Sequence, residues 1–143
     1  MWSDTLFAAE RAHLLRLLVW AASSVLIGTL IVVAITARRI KAPIVSQFAT
    51  QALTWGVVEL GLCAVLWRTQ AMRDVSAATR LDRMTWFSAG LDAGIVSVGI
   101  ALAVLGWTGR RFGLVGAGLG VLVQGLALLV LHLTFLSILA RLV

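Results

Sequence analysis

Four stretches of this chain are almost wholly apolar, and each carries one strongly polar side chain well inside it. The stretches run over about 17–37, 45–67, 85–107 and 112–134, each near the ~20 residues that a membrane-spanning helix requires. Their polar residues are Ser24, Glu59, Asp92 and Gln124. Ser24 lies 14 residues before Arg38, Glu59 lies 14 after Val45, Asp92 lies 15 before Trp107, and Gln124 lies 13 after Arg111. At about 1.5 Å rise per residue, each sits about 20 Å from one membrane face, past the midplane of a ~30 Å hydrocarbon layer. The pattern predicts an all-α fold. It is a polytopic transmembrane four-helix bundle of two helical hairpins, with N- and C-termini on the same side, forming a single domain over residues 1–143.

The connections carry the remaining polarity. Residues 3–16 open with a capping Ser3 or Asp4 and set Leu6, Phe7 and Leu14 against Glu10, Arg11 and His13, which predicts an interfacial helical lead-in to the first span. The turn ARRIKAP holds Arg38, Arg39 and Lys41, and its Pro43 suits the first turn of the second helix. Residues 68–84 form the longest hydrophilic connection, where Asp74 or Ser76 could cap a helix that enters the membrane near Met84. A second basic turn holds Arg110 and Arg111. The Arg38-Arg39 and Arg110-Arg111 pairs are 72 positions apart, as an internal duplication of one hairpin would leave them.

Composition fixes the class. The chain has 143 residues, 61% hydrophobic and 13% charged, with a mean hydropathy of +1.02. No ordinary soluble domain carries that balance. Its net charge of +6 comes from 12 basic residues, which in such a chain act as topology markers and anchors to anionic lipid, not as a nucleic-acid surface. Arg38, Arg39, Lys41, Arg110 and Arg111 are these anchors at one face, with Trp67 and Trp86 at the other face and Trp107 beside the first as an aromatic belt. The face holding both termini has seven Lys or Arg and the opposite face five. That favours termini in the cytoplasm, in a bacterial inner membrane. A single cysteine, Cys63, excludes an internal disulfide.

Helical spacing then groups the polar residues. Gln51, Trp55, Glu59 and Cys63 recur every four positions and share one stripe. Gly90 and Gly94 on the third span, and Gly116 and Gly120 in one row with Gln124 on the fourth, predict close packing of those two helices on their glycine faces. No Lys or Arg lies at the depth of Glu59 and Asp92, so two carboxylates there cannot both stay ionised without a partner. Three readings follow. The acids fix helix register by bonding Ser24, Gln124, Trp55 or a backbone carbonyl; they meet a partner subunit, pigment or lipid headgroup; or they relay a proton or cation. His13 and His132 could clamp a haem only if both rings faced the bundle interior, and depth counting places them at the interface instead. No cofactor or metal is expected.

At RLDRMTWFSAGLDAG (80–94), at GAGLGVLVQGLALLVLHL (116–133) and at Trp55-Gly56, the chain resembles a family of short, uncharacterised bacterial membrane proteins with four predicted helices. The resemblance implies the fold and supplies no activity.

Catalysis has little support. There is no Ser/His/Asp set, no phosphate-binding Gly-Lys-Ser/Thr loop, no Cys/His metal spacing and no extramembrane segment long enough for a catalytic domain. The expected function is a non-catalytic accessory or scaffolding subunit of a larger membrane complex, one of energy conversion among the choices, or a small homo-oligomer. Its partners are then membrane lipids and other transmembrane subunits or a second copy, with pigment or quinone contact open and no nucleic acid. The alternative is a small proton-coupled cation or drug transporter using Glu59 and Asp92.

Overall fold

In the computed structural model, which describes residues 2–142, four helices take up nearly the whole chain: α1 (Trp2–Ala37), α2 (Pro43–Arg68), α3 (Val75–Thr108) and α4 (Phe112–Leu142). Met1 and Val143, the ends of the expected domain, lie outside the described residues. All four helices are long and apolar enough to cross a membrane.

The helices overrun the spans expected from hydropathy. α1 has 36 residues, which at 1.5 Å per residue is about 54 Å, well beyond a hydrocarbon layer of about 30 Å. Residues 3–16, the expected helical lead-in, run without a break into the first span as the opening of α1. They have an apolar environment of their own, since Leu6, 1% exposed, belongs to one core cluster with Ala78 and Ala89 of α3 and Phe135, Leu136 and Leu139 of α4. The connection expected over 68–84 is helical from Val75 onward. Its start is set by Asp74, whose carboxylate accepts from the Ala77 backbone N–H at 2.7 Å and from the Ser76 hydroxyl at 2.9 Å.

The two basic turns share one geometry. Arg39 and Arg110 both have left-handed backbone, with φ of 51° and 54°. In the first turn the Ile40 N–H donates to Ile35 O and the Arg39 N–H to Thr36 O; in the second the Arg111 N–H donates to Gly106 O and the Arg110 N–H to Trp107 O. This is the paired-bond helix terminator in which glycine is the usual residue. Equivalent positions are thus Arg39 and Arg110, one off the spacing of the arginine pairs. Both turns leave Arg38, Arg39, Lys41, Arg110 and Arg111 exposed at the end of the bundle opposite the termini.

Glycine decides how the helices pack. α1 and α2 cross where Gly28 meets Ala49 and Leu53 and where Gly56 meets Ala21 and Val25. In the GAGLG run of α4, Gly116 and Gly120 lie against Ile44 and Gln51 of α2, while Gly118 lies against Gly99 and Ala103 of α3. A Cβ on Gly99 would stand 2.5 Å from the Leu122 backbone nitrogen. The expected α3–α4 glycine contact therefore exists, but through different residues. Gly90 and Gly94 have nothing within 4 Å of where a Cβ would stand and point outward, and Gly116 and Gly120 serve the α2 contact. The reason is phase: Gly99 and Gly106 lie seven apart on the α4-facing side, and Gly90 and Gly94 fall off that stripe.

α4 is the hub of the bundle, packed against α1, α2 and α3. No Cα of α2 approaches one of α3 within 8 Å among the described residues. A cleft follows from that separation.

Candidate functional site

The cleft between α2 and α3 encloses about 400 Å³. Its walls are Val58, Leu62, Leu91 and Ile95, and Glu59, Asp92 and His132 also line it. Three of the four expected buried polar residues belong to this region. Gln124, 2% exposed, donates from Nε2 to Glu59 Oε1 at 2.8 Å. Asp92 Oδ2 and His132 Nδ1 share a hydrogen bond of 2.6 Å. Ser24 is buried on α1 and does not line the cleft. Glu59 is 7% exposed, and its second oxygen, Oε2, is buried with no hydrogen-bond partner among the described residues.

The Asp92–His132 pair comes from antiparallel packing. Gly106 faces Val115 and Gly99 faces Leu122, so seven residues further Asp92 faces Leu129, and His132 lies about one turn nearer the termini. The Cα–Cβ bond tilts toward the start of its own helix. Asp92 therefore leans toward the terminal end and His132 leans away from it, and the two side chains converge.

From His132 polar groups continue toward the terminal end. The His13 ring lies 5.3 Å from that of His132, tilted by 54°, and stacks on Phe135 at 4.3 Å. His13 is buried and its Nδ1 has no partner among the described residues. One turn beyond, Glu10 accepts two hydrogen bonds from Arg73, from Nε at 2.8 Å and from Nη2 at 2.6 Å. The bonds to Glu10 hold the Arg73 guanidinium even more firmly protonated than usual. A smaller cavity of about 160 Å³ touches Glu10, Arg73, His13, Ser88 and His132, so His132 and Ser88 border both spaces.

The two histidines, expected at the terminal end, meet there. Both rings face the interior, but they meet each other and do not flank a gap, so the haem geometry does not arise. Trp67, Trp86 and Trp107 are all exposed, and Arg11 lies over the Trp67 ring at 5.2 Å. The Glu10–Arg73 and Asp92–His132 pairings are what depth counting did not foresee. The signal was present: Glu10, His13, Leu17, Ala21, Ser24 and Gly28 form one buried helical stripe of α1, and Gln124, Leu128 and His132 one of α4.

A wider groove of about 750 Å³ runs between α1 and α4. It has no carboxylate or imidazole in its lining. The α2–α3 cleft combines apolar walls with acids, an imidazole and an unsatisfied oxygen. Such an arrangement can hold and orient a small molecule, and its acid–imidazole contact can exchange a proton. Ser88 donates its hydroxyl to Met84 O, so it is not poised as a nucleophile.

Residues 16–133 match one protein family, of unknown function. The chain belongs to that family, DUF6992. The matched stretch holds Glu59, Asp92, Gln124 and His132, whereas Glu10 and His13 of this DUF6992 chain precede it. No curated protein and no solved structure matches the chain.

Proposed function

We propose that this protein is a non-catalytic membrane module that holds a small lipid-soluble molecule between α2 and α3, as an accessory component of a larger membrane assembly. The observation that carries the reading is Glu59, a residue of the cleft lining whose Oε2 is buried without a partner among the described residues. An unsatisfied buried oxygen costs about 1–3 kcal/mol, and a ligand donor placed there recovers it. The cleft volume of about 400 Å³ falls in the range of small-molecule sites, about 300–1,000 Å³. Its walls include Leu62 and Leu91, both more than half exposed at the outer surface of the bundle, so the ligand arrives sideways from the bilayer. The location is a bacterial inner membrane with both termini in the cytoplasm, following the excess of Lys and Arg at that end.

A photoreactive benzoylphenylalanine at Leu62 or Leu91, activated in native membranes, tests the reading against the same residue at Leu30 or Leu105 on outer faces. A defined small-mass adduct confined to the cleft positions supports it. Ordinary phospholipid captured equally at all four positions counts against it.

A second reading has its own observation. The polar file from Glu10–Arg73 through His13 and His132 to Asp92 suits a small transporter that exchanges protons for a cation. In proteoliposomes Glu59→Gln and Asp92→Asn would then each abolish ligand-driven proton flux. The accessory reading expects no flux from the wild type.

A further inference from the structure

We propose that the α2–α3 cleft is a site for a lipophilic ammonium ion, a molecule with an apolar body and one positively charged head bearing N–H donors. The inference rests on the binding-module reading and adds the chemistry of what is bound.

The argument is an inventory of what the cleft offers. Its acceptors are Glu59 Oε2, which has no partner, and the Asp92 carboxylate. No Lys or Arg lines it, and the one basic group, His132, already faces Asp92 at 2.6 Å. A fatty acid or phosphate head would bring negative charge beside two acids with no free cation. An anion left unpaired in a medium of low dielectric is costly. A ketone or ester head brings only acceptors and offers Glu59 Oε2 no donor. An ammonium head supplies charge and donors together, and a charge-assisted hydrogen bond is roughly twice as strong as a neutral one. Trp55, one turn before Glu59 on the same stripe, also lines the cleft and adds an indole, the aromatic ring that attracts cations best. Gln124 occupies Oε1, so the carboxyl group is held in place before the ligand comes. Val58, Leu62, Leu91 and Ile95 receive the apolar body.

The test uses the purified chain in lipid nanodiscs and a dodecylamine carrying a diazirine on its alkyl chain, with labelled peptides mapped by mass spectrometry. Label is expected on the cleft faces of α2 and α3, displaced by dodecylammonium and not by dodecanol. Glu59→Gln should raise the half-saturating probe concentration by about ten-fold or more, the equivalent of one lost charge-assisted bond. Leu91→Trp, which fills the cleft from an outer position and keeps the Glu59 carboxyl, should block labelling. If dodecanol competes as well as dodecylammonium, the ammonium assignment is overturned while cleft binding stands. If Glu59→Gln labels like the wild type, the ammonium assignment falls again. Label spread evenly over all outward faces, unchanged by Leu91→Trp, overturns both this inference and the reading beneath it.

Discussion

Replacing Gln124 with leucine strips the Glu59 carboxyl of its one hydrogen bond while keeping the volume of a side chain that is 2% exposed. The Nε2 to Oε1 distance of 2.8 Å is a full-strength bond. Leaving a buried acceptor unmade costs about 1–3 kcal/mol in proteins generally. Hydrogen bonds between membrane helices average about 0.6 kcal/mol and reach about 1.7, because the unfolded chain in lipid also finds partners. Glu59 already has one unsatisfied oxygen, so the loss falls toward the upper part of that range, and we expect about 1–2 kcal/mol. The double variant Glu59→Leu with Gln124→Leu removes both polar groups and should recover most of the loss, since a matched apolar pair is nearly neutral. Equilibrium unfolding by steric trapping in bicelles, run as a double-mutant cycle, reads the coupling directly. Additive effects, with the double variant as unstable as the sum of the singles, would refute the pairing and the preorganised carboxyl with it.

Gly118→Ala puts a Cβ against the Ala103 backbone nitrogen and 2.7 Å from Gly99 O, and should destabilise the α3–α4 hairpin by about 1–3 kcal/mol in the same assay. Gly94→Ala, which meets open space, should instead be neutral or stabilising by up to about 1 kcal/mol. Arg110→Gly relieves a left-handed residue that carries a Cβ; it should stabilise the turn by about 1 kcal/mol, and a loss of stability would contradict the terminator geometry. The Ala77 N–H and then the Ser76 hydroxyl hold the Asp74 carboxyl below its usual 3.8. A depressed carboxylate stabilises the folded state above its unfolded pKa and loses that contribution as pH falls through the lower folded value. Amide exchange at Ala77, followed by NMR and corrected for intrinsic rate, should accelerate below pH 3.8 and be insensitive to pH in Asp74→Ala.

Much of the fold was legible in the sequence, because four apolar stretches of spanning length admit few arrangements. Hydropathy gave the helix ends poorly. Residues 3–16 read as an interfacial lead-in and 68–84 as a hydrophilic connection, yet Leu6, Ala78 and Phe135 belong to a core that continues the bundle past the spans. At the site, equal depth singled out Ser24, Glu59, Asp92 and Gln124, all four of which are buried. It lost Asp92–His132, because depth was counted along Cα positions and antiparallel helices tilt their side chains toward each other across a full turn. The outward Gly90–Gly94 pair shows the same limit: spacing of four says that two glycines share a face, and only packing says which one. The Glu10–Arg73 pair joins residues 63 positions apart in sequence and depends on the short 69–74 connection, which no local pattern reveals.

Native mass spectrometry of the chain extracted gently from its own membrane tests the central claim most directly. The wild type should carry one defined small molecule of amine chemistry per chain, diminished in Glu59→Gln and absent in Leu91→Trp. A bare chain, or the same mixed phospholipids on all three proteins, would contradict a ligand held at Glu59 between α2 and α3.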